Sequence, residues 1–111
     1  MTAILFISLI QLIQHPDTYH QKHVRVIGYA SLEFESKGLY ISREDYEHAI
    51  TKNAVWLDVQ LTEDVKKLHK HYVLVEGIFD KNELGHLKMY SGTIKNVGRI
   101  ERWEKQENPP K

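Results

Sequence analysis

The stretch 24–34 constrains the fold more than any other part of the chain. Its even positions, Val24, Val26, Gly28, Ala30, Leu32 and Phe34, are apolar or glycine. Its odd positions are Arg25, Ile27, Tyr29, Ser31 and Glu33. A period of two sends alternate side chains to opposite faces of a strand, so the even set is assigned to a core. Gly28 in mid-strand marks a bulge or sharp bend, which a small barrel needs in order to close. Gly77 repeats the device, because residues 72–79 place Val73, Val75, Gly77 and Phe79 on one face.

The other elements follow from local signals. Residues 39–42 read as a second strand, with Leu39 and Ile41 on one face, entered through a turn at Ser36, Lys37 and Gly38. Ser42 and Asp45 stand in capping-box-like spacing and predict a short helix over 43–50. A third strand over 54–59 directs Val55, Leu57 and Val59 to the core and Trp56 and Asp58 away from it. Thr62, Glu63 and Asp64 supply an N-cap and two acids at the positive end of a helix dipole. The stripe Leu61, Val65, Leu68 carries that helix to about residue 71. A last β region over 87–103 has Ile94, Val97 and Ile100 three apart, a spacing explained by a bulge near Asn96 or Gly98.

The segment 3–13 is apolar except for Ser8 and Gln11. It is shorter than the ~20 residues of a membrane span and lacks the basic start and small-residue cleavage site of a secretory signal. It is expected to pack on the core. Residues 104–111 are polar and read as a frayed end, which leaves one domain over 1–103. Three strands, a helix and two more strands is the order of a five-stranded OB-type Greek-key barrel, here mainly β with a helix between strands three and four. The competing architecture is an α+β sheet with its helices on one side.

Several segments also resemble a known group. They are Pro16-Asp17-Thr18-Tyr19 with Lys22 and Val24 to Tyr29, then Ser42 to Tyr46, Thr51 to Asp58, Tyr72 to Gly77, and Ser91 to Ile94. Together they resemble a family of small bacterial OB-fold-like proteins without an assigned function, over roughly residues 7–103. The Pro-x-x-Tyr, Lys, Val-x-Val-x-Gly opening is also similar, over the first strand alone, to OB domains of the tRNA-anticodon-binding type. The resemblance implies a fold and a bacterial source, and the expected compartment is the cytoplasm. It carries over no catalytic or binding residue.

Composition narrows the chemistry. There is no cysteine, so disulfides, thiolate nucleophiles and cysteine-type metal sites are excluded. No phosphate-cradling glycine motif, nucleophile elbow or His-Glu-x-x-His helix occurs. The histidines include His20 and His23, and His69 and His71, but their spacing supplies no converging ligand set, so neither a metal nor another cofactor is expected. Most carboxylates sit in polar runs. Asp58 stands out in mid-strand, and an ion pair with Arg25 is its ordinary explanation. A hydrolase built on Asp58 and a histidine lacks an assembled nucleophile, base and orienting group, so the chain is read as a non-enzyme. Formal net charge is zero with His neutral, so binding to phosphates needs a locally segregated basic patch.

The aromatics are the sharpest functional signal. Tyr29, Tyr40 and Trp56 each fall out of phase with the apolar face of their own strand, on the strands where OB-folds take ligands. Covering of these rings by the 43–50 helix or the N-terminal segment is the alternative. With Arg25 and Arg43 they form the expected ligand-binding set. The expected role is a non-catalytic binding module for single-stranded nucleic acid or a nucleotide-like ligand, which stacks on aromatic platforms. The alternative is a protein–protein interaction module, a subunit or inhibitor, anchored by the same rings.

Overall fold

The computed structural model describes residues 3–104. In chain order its elements begin with β1 (Leu5–Phe6), α1 (Leu9–Gln14) and α2 (Pro16–Tyr19). Next come β2 (His23–Glu33), β3 (Ser36–Tyr40), α3 (Arg43–Glu47) and β4 (Ala54–Leu57). The chain closes with α4 (Glu63–Lys66), β5 (Tyr72–Asp80) and β6 (Thr93–Arg102). Three helices start where a side chain caps the first turn. Ser8, Ser42 and Thr62 accept hydrogen bonds from the backbone N–H of Gln11, Asp45 and Val65. The helices are short, so their stability comes from packing on the sheet.

The strands form one six-stranded mixed sheet in the order β1-β2-β3-β4-β6-β5, and β5 pairs back onto β2. β1 with β2 and β4 with β6 are parallel pairs, and the remaining pairs are antiparallel. β2 is long enough to use both edges. Residues His23 to Tyr29 pair with β5, and Tyr29 to Glu33 pair with β3. Tyr29 therefore stands opposite both Tyr40 and Tyr72. Beyond Tyr29, the loop after α4 takes over the edge that β5 leaves. The Ala30 N–H donates to the His71 carbonyl, and the Lys70 N–H donates to the Ala30 carbonyl, both at 2.9 Å. The Leu32 N–H donates to His69 Nδ1 at 2.9 Å. The other ring nitrogen of His69, Nε2, lies 2.8 Å from Glu33 Oε1.

The core has the expected register. Val24, Val26, Ala30 and Leu32 of β2 are buried with Leu39, Val55, Leu57, Val73, Val75, Phe79 and Ile94. Leu9 and Leu12 of α1 join them, which fixes the N-terminal segment against the sheet. Gly28 and Gly77 are needed for close approach. A Cβ at Gly28 would lie 2.7 Å from the Tyr40 carbonyl oxygen, and one at Gly77 would lie 2.7 Å from the Lys95 carbonyl oxygen. Opposite Gly77 the ladder slips: Glu76 pairs with Arg99 but Ile78 pairs with Lys95, with Asn96 at φ 52° inside the extra loop of β6. The irregular spacing of Ile94, Val97 and Ile100 arises from this bulge.

Several expectations are corrected. Phe34 does not face the core. Glu33 pairs with Ser36, so Phe34 and Glu35 are the two residues of a tight turn, and Phe34 is 80% exposed. The last strand begins at Thr93, not near Leu87, because Gly85, Leu87 and Lys88 all take positive φ. β4 stops at Leu57, α3 at Glu47 and α4 at Lys66, each shorter than the apolar pattern suggests. In the N-terminal segment only one side is covered, and Ile4, Leu5, Phe6 and Ile10 are exposed. β1 adds a sixth strand where five were expected. The expected tail falls, from residue 105 onward, outside the described residues.

Ion pairs tie the outer face of β5 to both neighbours. Glu76 accepts from Arg25 of β2 at 3.0 Å and from Arg99 of β6 at 3.4 Å. Arg25 is therefore committed to Glu76, not to Asp58. Its hydrogen bond is the main influence holding the Glu76 carboxyl below the ordinary range, and Arg99 adds to it. Asp80 is lowered first by Lys95, 2.9 Å away, and then by the Asn82 N–H.

Two outcomes follow. Val75→Ala removes buried methyls from the central strand, and should lower the unfolding free energy in urea by about 1–3 kcal/mol. A loss under about 0.5 kcal/mol would mean that Val75 is not a core residue. Carboxyls with a lowered folded-state pKa contribute stability above their unfolded value and lose it as pH falls through the folded one. Stability should therefore begin to decline below pH 4.5, the ordinary value for Glu76, and Glu76→Gln should make that decline shallower. An identical acid limb in the variant would remove Glu76 from the account.

Candidate functional site

The outward side chains of β2, β3 and β4 build a second packed layer. Tyr29, Tyr40, Ala54 and Tyr90 are buried together, with Tyr46 and Trp56 packed against them. Two local features create it. Helix α3 lays Tyr46 over the strands, with ring centroids 5.5 Å from Tyr29 and 5.6 Å from Tyr40. The β5–β6 loop brings in Tyr90, whose ring is 6.4 Å from Tyr40 and 5.3 Å from Trp56. Gly38, opposite Trp56 on β3, has no side chain to keep Tyr90 out: a Cβ there would lie 2.9 Å from its ring. Burial, with the Tyr90 hydroxyl adding to it, pushes the Tyr40 phenol well above the ordinary tyrosine value.

This layer covers two of the expected platform residues. Tyr29 is 7% exposed and Tyr40 is 3% exposed. Both are packing residues of the second layer, as the helix-cover alternative anticipated. Trp56 is half-buried and keeps one side toward solvent, where it lines a groove of about 550 Å³. Phe34 and Glu35 of the β2–β3 turn stand on one side of the groove, and Val59, Gln60 and Leu61 after β4 form another wall. Gly85, at φ 71°, brings the β5–β6 loop against the Trp56 Cβ, and the next residue, His86, stacks on the indole at 6.4 Å and 23°. Lys37 places its ammonium 5.5 Å from the Trp56 ring and donates to the Val59 carbonyl at 3.1 Å.

Trp56 is the one member of the expected set that lines this groove. Arg25 lies on another face, beneath the Phe6 ring at 5.6 Å and bonded to Glu76. Arg43 is on α3, with its Nε 2.6 Å from Glu47. The groove residues missed from the sequence are Phe34, Lys37 and His86. The alternation points Phe34 at the core, but β2 ends one residue earlier, at Glu33. Lys37 and His86 carry no local signal, since a long-range fold brings them to Trp56.

The groove presents a flat aromatic wall, a cation at Lys37 and two carboxylates, Glu35 and Asp58. Such a set can stack a planar ring, accept hydrogen bonds from amino groups at its edge, and contact a single anion. Asp58 and His86 share the groove, but no serine or threonine hydroxyl lines it and the chain has no thiol. Among the described residues no cluster of three or more His, Asp or Glu side chains is placed to hold a metal ion. No helix there is long and apolar enough to cross a membrane. Comparisons with protein-family models, curated proteins and solved structures give no match.

The layer predicts an order of stabilities. Tyr40→Ala should cost about 3–5 kcal/mol of folding stability, the range for a buried aromatic, and Trp56→Ala clearly less. Denaturant melts of the two variants decide this. A larger loss at Trp56 than at Tyr40 would mean that the indole is structural and the groove incidental.

Proposed function

We propose that this chain is an OB-type barrel that acts as a non-catalytic binding module, taking one base of a single-stranded nucleic acid or nucleotide-like ligand in the Trp56 groove. The ladder that runs through β2, β3, β4, β6 and β5 and returns to β2 supports the barrel. So does the short helix α4, which in chain order lies between β4 and β5, the third and fourth of those five strands. OB-folds take ligands on their second and third strands and on the loops after strands one and four. Here those strands are β3 and β4, and those loops carry Phe34 and His86.

The observation that carries the reading is Trp56 itself, held in place by Tyr90 and His86 and open to a groove beside the exposed Phe34. Stacking a base on such a ring is worth about 1–3 kcal/mol. Glu35 and Asp58 suit the amino edge of a base better than a phosphate chain, so the groove favours the base over the backbone. A partner protein is the second reading. The exposed Phe34 beside Val59 and Leu61 would suit an apolar anchor rimmed by charges of both signs.

Trp56 and Trp103 are the only tryptophans, so a Trp103→Phe chain reports on Trp56 alone. A short mixed-sequence single-stranded oligonucleotide should quench that fluorescence, and Trp56→Ala should weaken binding about tenfold or more, or about 1.4 kcal/mol. With one lysine in the groove the salt dependence should be shallow, near the ~0.7 log units per decade of a single phosphate contact. No quenching, or unchanged affinity in Trp56→Ala, would end the nucleic-acid reading of this groove.

A further inference from the structure

The zero net charge of the chain conceals a local separation. Two carboxylates and one lysine line the Trp56 groove. A second cleft, of about 260 Å³, has the opposite balance: Arg43, Lys70 and Arg102 line it with the single carboxylate Glu104. Two exposed aromatic rings stand among these cations. Tyr72 is 40% exposed and Trp103 is 46% exposed. The cations come from three separate parts of the chain, the start of α3, the loop before β5 and the end of β6, so no sequence run announces the patch.

The Tyr72 ring is held in place. The Tyr72 hydroxyl accepts from the Arg43 N–H at 3.2 Å, and its ring meets Tyr29 edge-on at 5.1 Å. The backbone N–H of Trp103 donates to the Tyr72 carbonyl at 2.8 Å, which carries the chain just past β6 alongside β5. Arg43 gives its Nε to Glu47, and Arg102 gives one Nη to Glu104, so each guanidinium keeps further donors for an anion. Arginine and lysine around a phosphate make charge-assisted hydrogen bonds, and an exposed aromatic ring offers a base a stacking surface.

From this juxtaposition of two exposed rings with three cations lining one cleft we propose that the Tyr72–Trp103 cleft binds a nucleotide, with the base on the rings and the phosphate among Arg43, Lys70 and Arg102. At about 260 Å³ the cleft has room for no more than one nucleotide unit, not for a run of strand. It supplies the segregated basic patch that phosphate binding requires in a neutral chain. This site does not depend on the Trp56 groove, and either can fail without the other.

The test uses the full chain with adenosine 5′-monophosphate and adenosine as probes, followed through the two indole N–H resonances by NMR. The monophosphate should shift the Trp103 signal and, read at that signal, bind at least tenfold more tightly than adenosine. Lys70→Glu combined with Arg102→Glu should reduce that affinity at least tenfold. Trp56→Ala should leave the affinity read at Trp103 unchanged. A 5′-phosphorylated dinucleotide that displaces the monophosphate at lower concentration would assign the site to a strand end. Displacement only at higher concentration would assign it to the free nucleotide. Equal binding of adenosine, a shift confined to Trp56, no shift at all, or unchanged affinity in the charge-reversal variant would overturn the proposal.

Discussion

β2 changes partner at Tyr29, and most of the structure depends on that change. On one side of Tyr29 the strand bonds to β5, and on the other to β3, so one continuous segment sets the register of both neighbours. Gly28 lies next to this point, where the Tyr40 carbonyl approaches closer than a side chain would allow. The exposed edge that results past Tyr29 is filled by His69 to His71, through two backbone bonds and one imidazole acceptor. An unpaired edge here would cost buried hydrogen bonds and invite pairing with another chain.

The same geometry gives the strands two packed faces in place of one. Inward side chains form the aliphatic core. Outward rings form a chain of contacts from His86 through Trp56, Tyr90, Tyr40, Tyr46 and Tyr29 to Tyr72. Its middle is covered by α3 and the β5–β6 loop, and its ends open at the Trp56 groove and the Tyr72 cleft. The ends differ in charge: the groove is lined by two carboxylates and one lysine, the cleft by three cations and one carboxylate. Glu76, Arg25 and Arg99 lie on another part of the surface and bind β5 to its neighbours, so their charges serve the fold.

Much of this arrangement was legible in the sequence wherever a short-range rule applied. The alternation in β2 identified Val24, Val26, Ala30 and Leu32 as core, and Ser42 and Thr62 announced their helices through cap chemistry. The spacing of Ile94, Val97 and Ile100 located the β6 bulge. The rest depended on contacts between distant residues. That Tyr40 is buried follows from Tyr46 and Tyr90, neither of which is near it on the same strand. Phe34 deceived the alternation because a two-residue turn ends the period just before it. Leu87 looked like a strand residue, but the positive φ of its loop has no signature beyond Gly85. The basic cleft is assembled from three separate segments, so composition showed only that the charges cancel.

The central claim is that the outward aromatics form one chain, packed in the middle and open at its ends. Solvent paramagnetic relaxation of the aromatic ring protons, with a soluble gadolinium chelate, measures this residue by residue. Strong enhancement is expected for Trp56, Tyr72 and Trp103, and weak enhancement for Tyr29, Tyr40 and Tyr90. Enhancement of Tyr40 equal to that of Trp103 would contradict the packed layer, and with it the placement of both candidate sites at its ends.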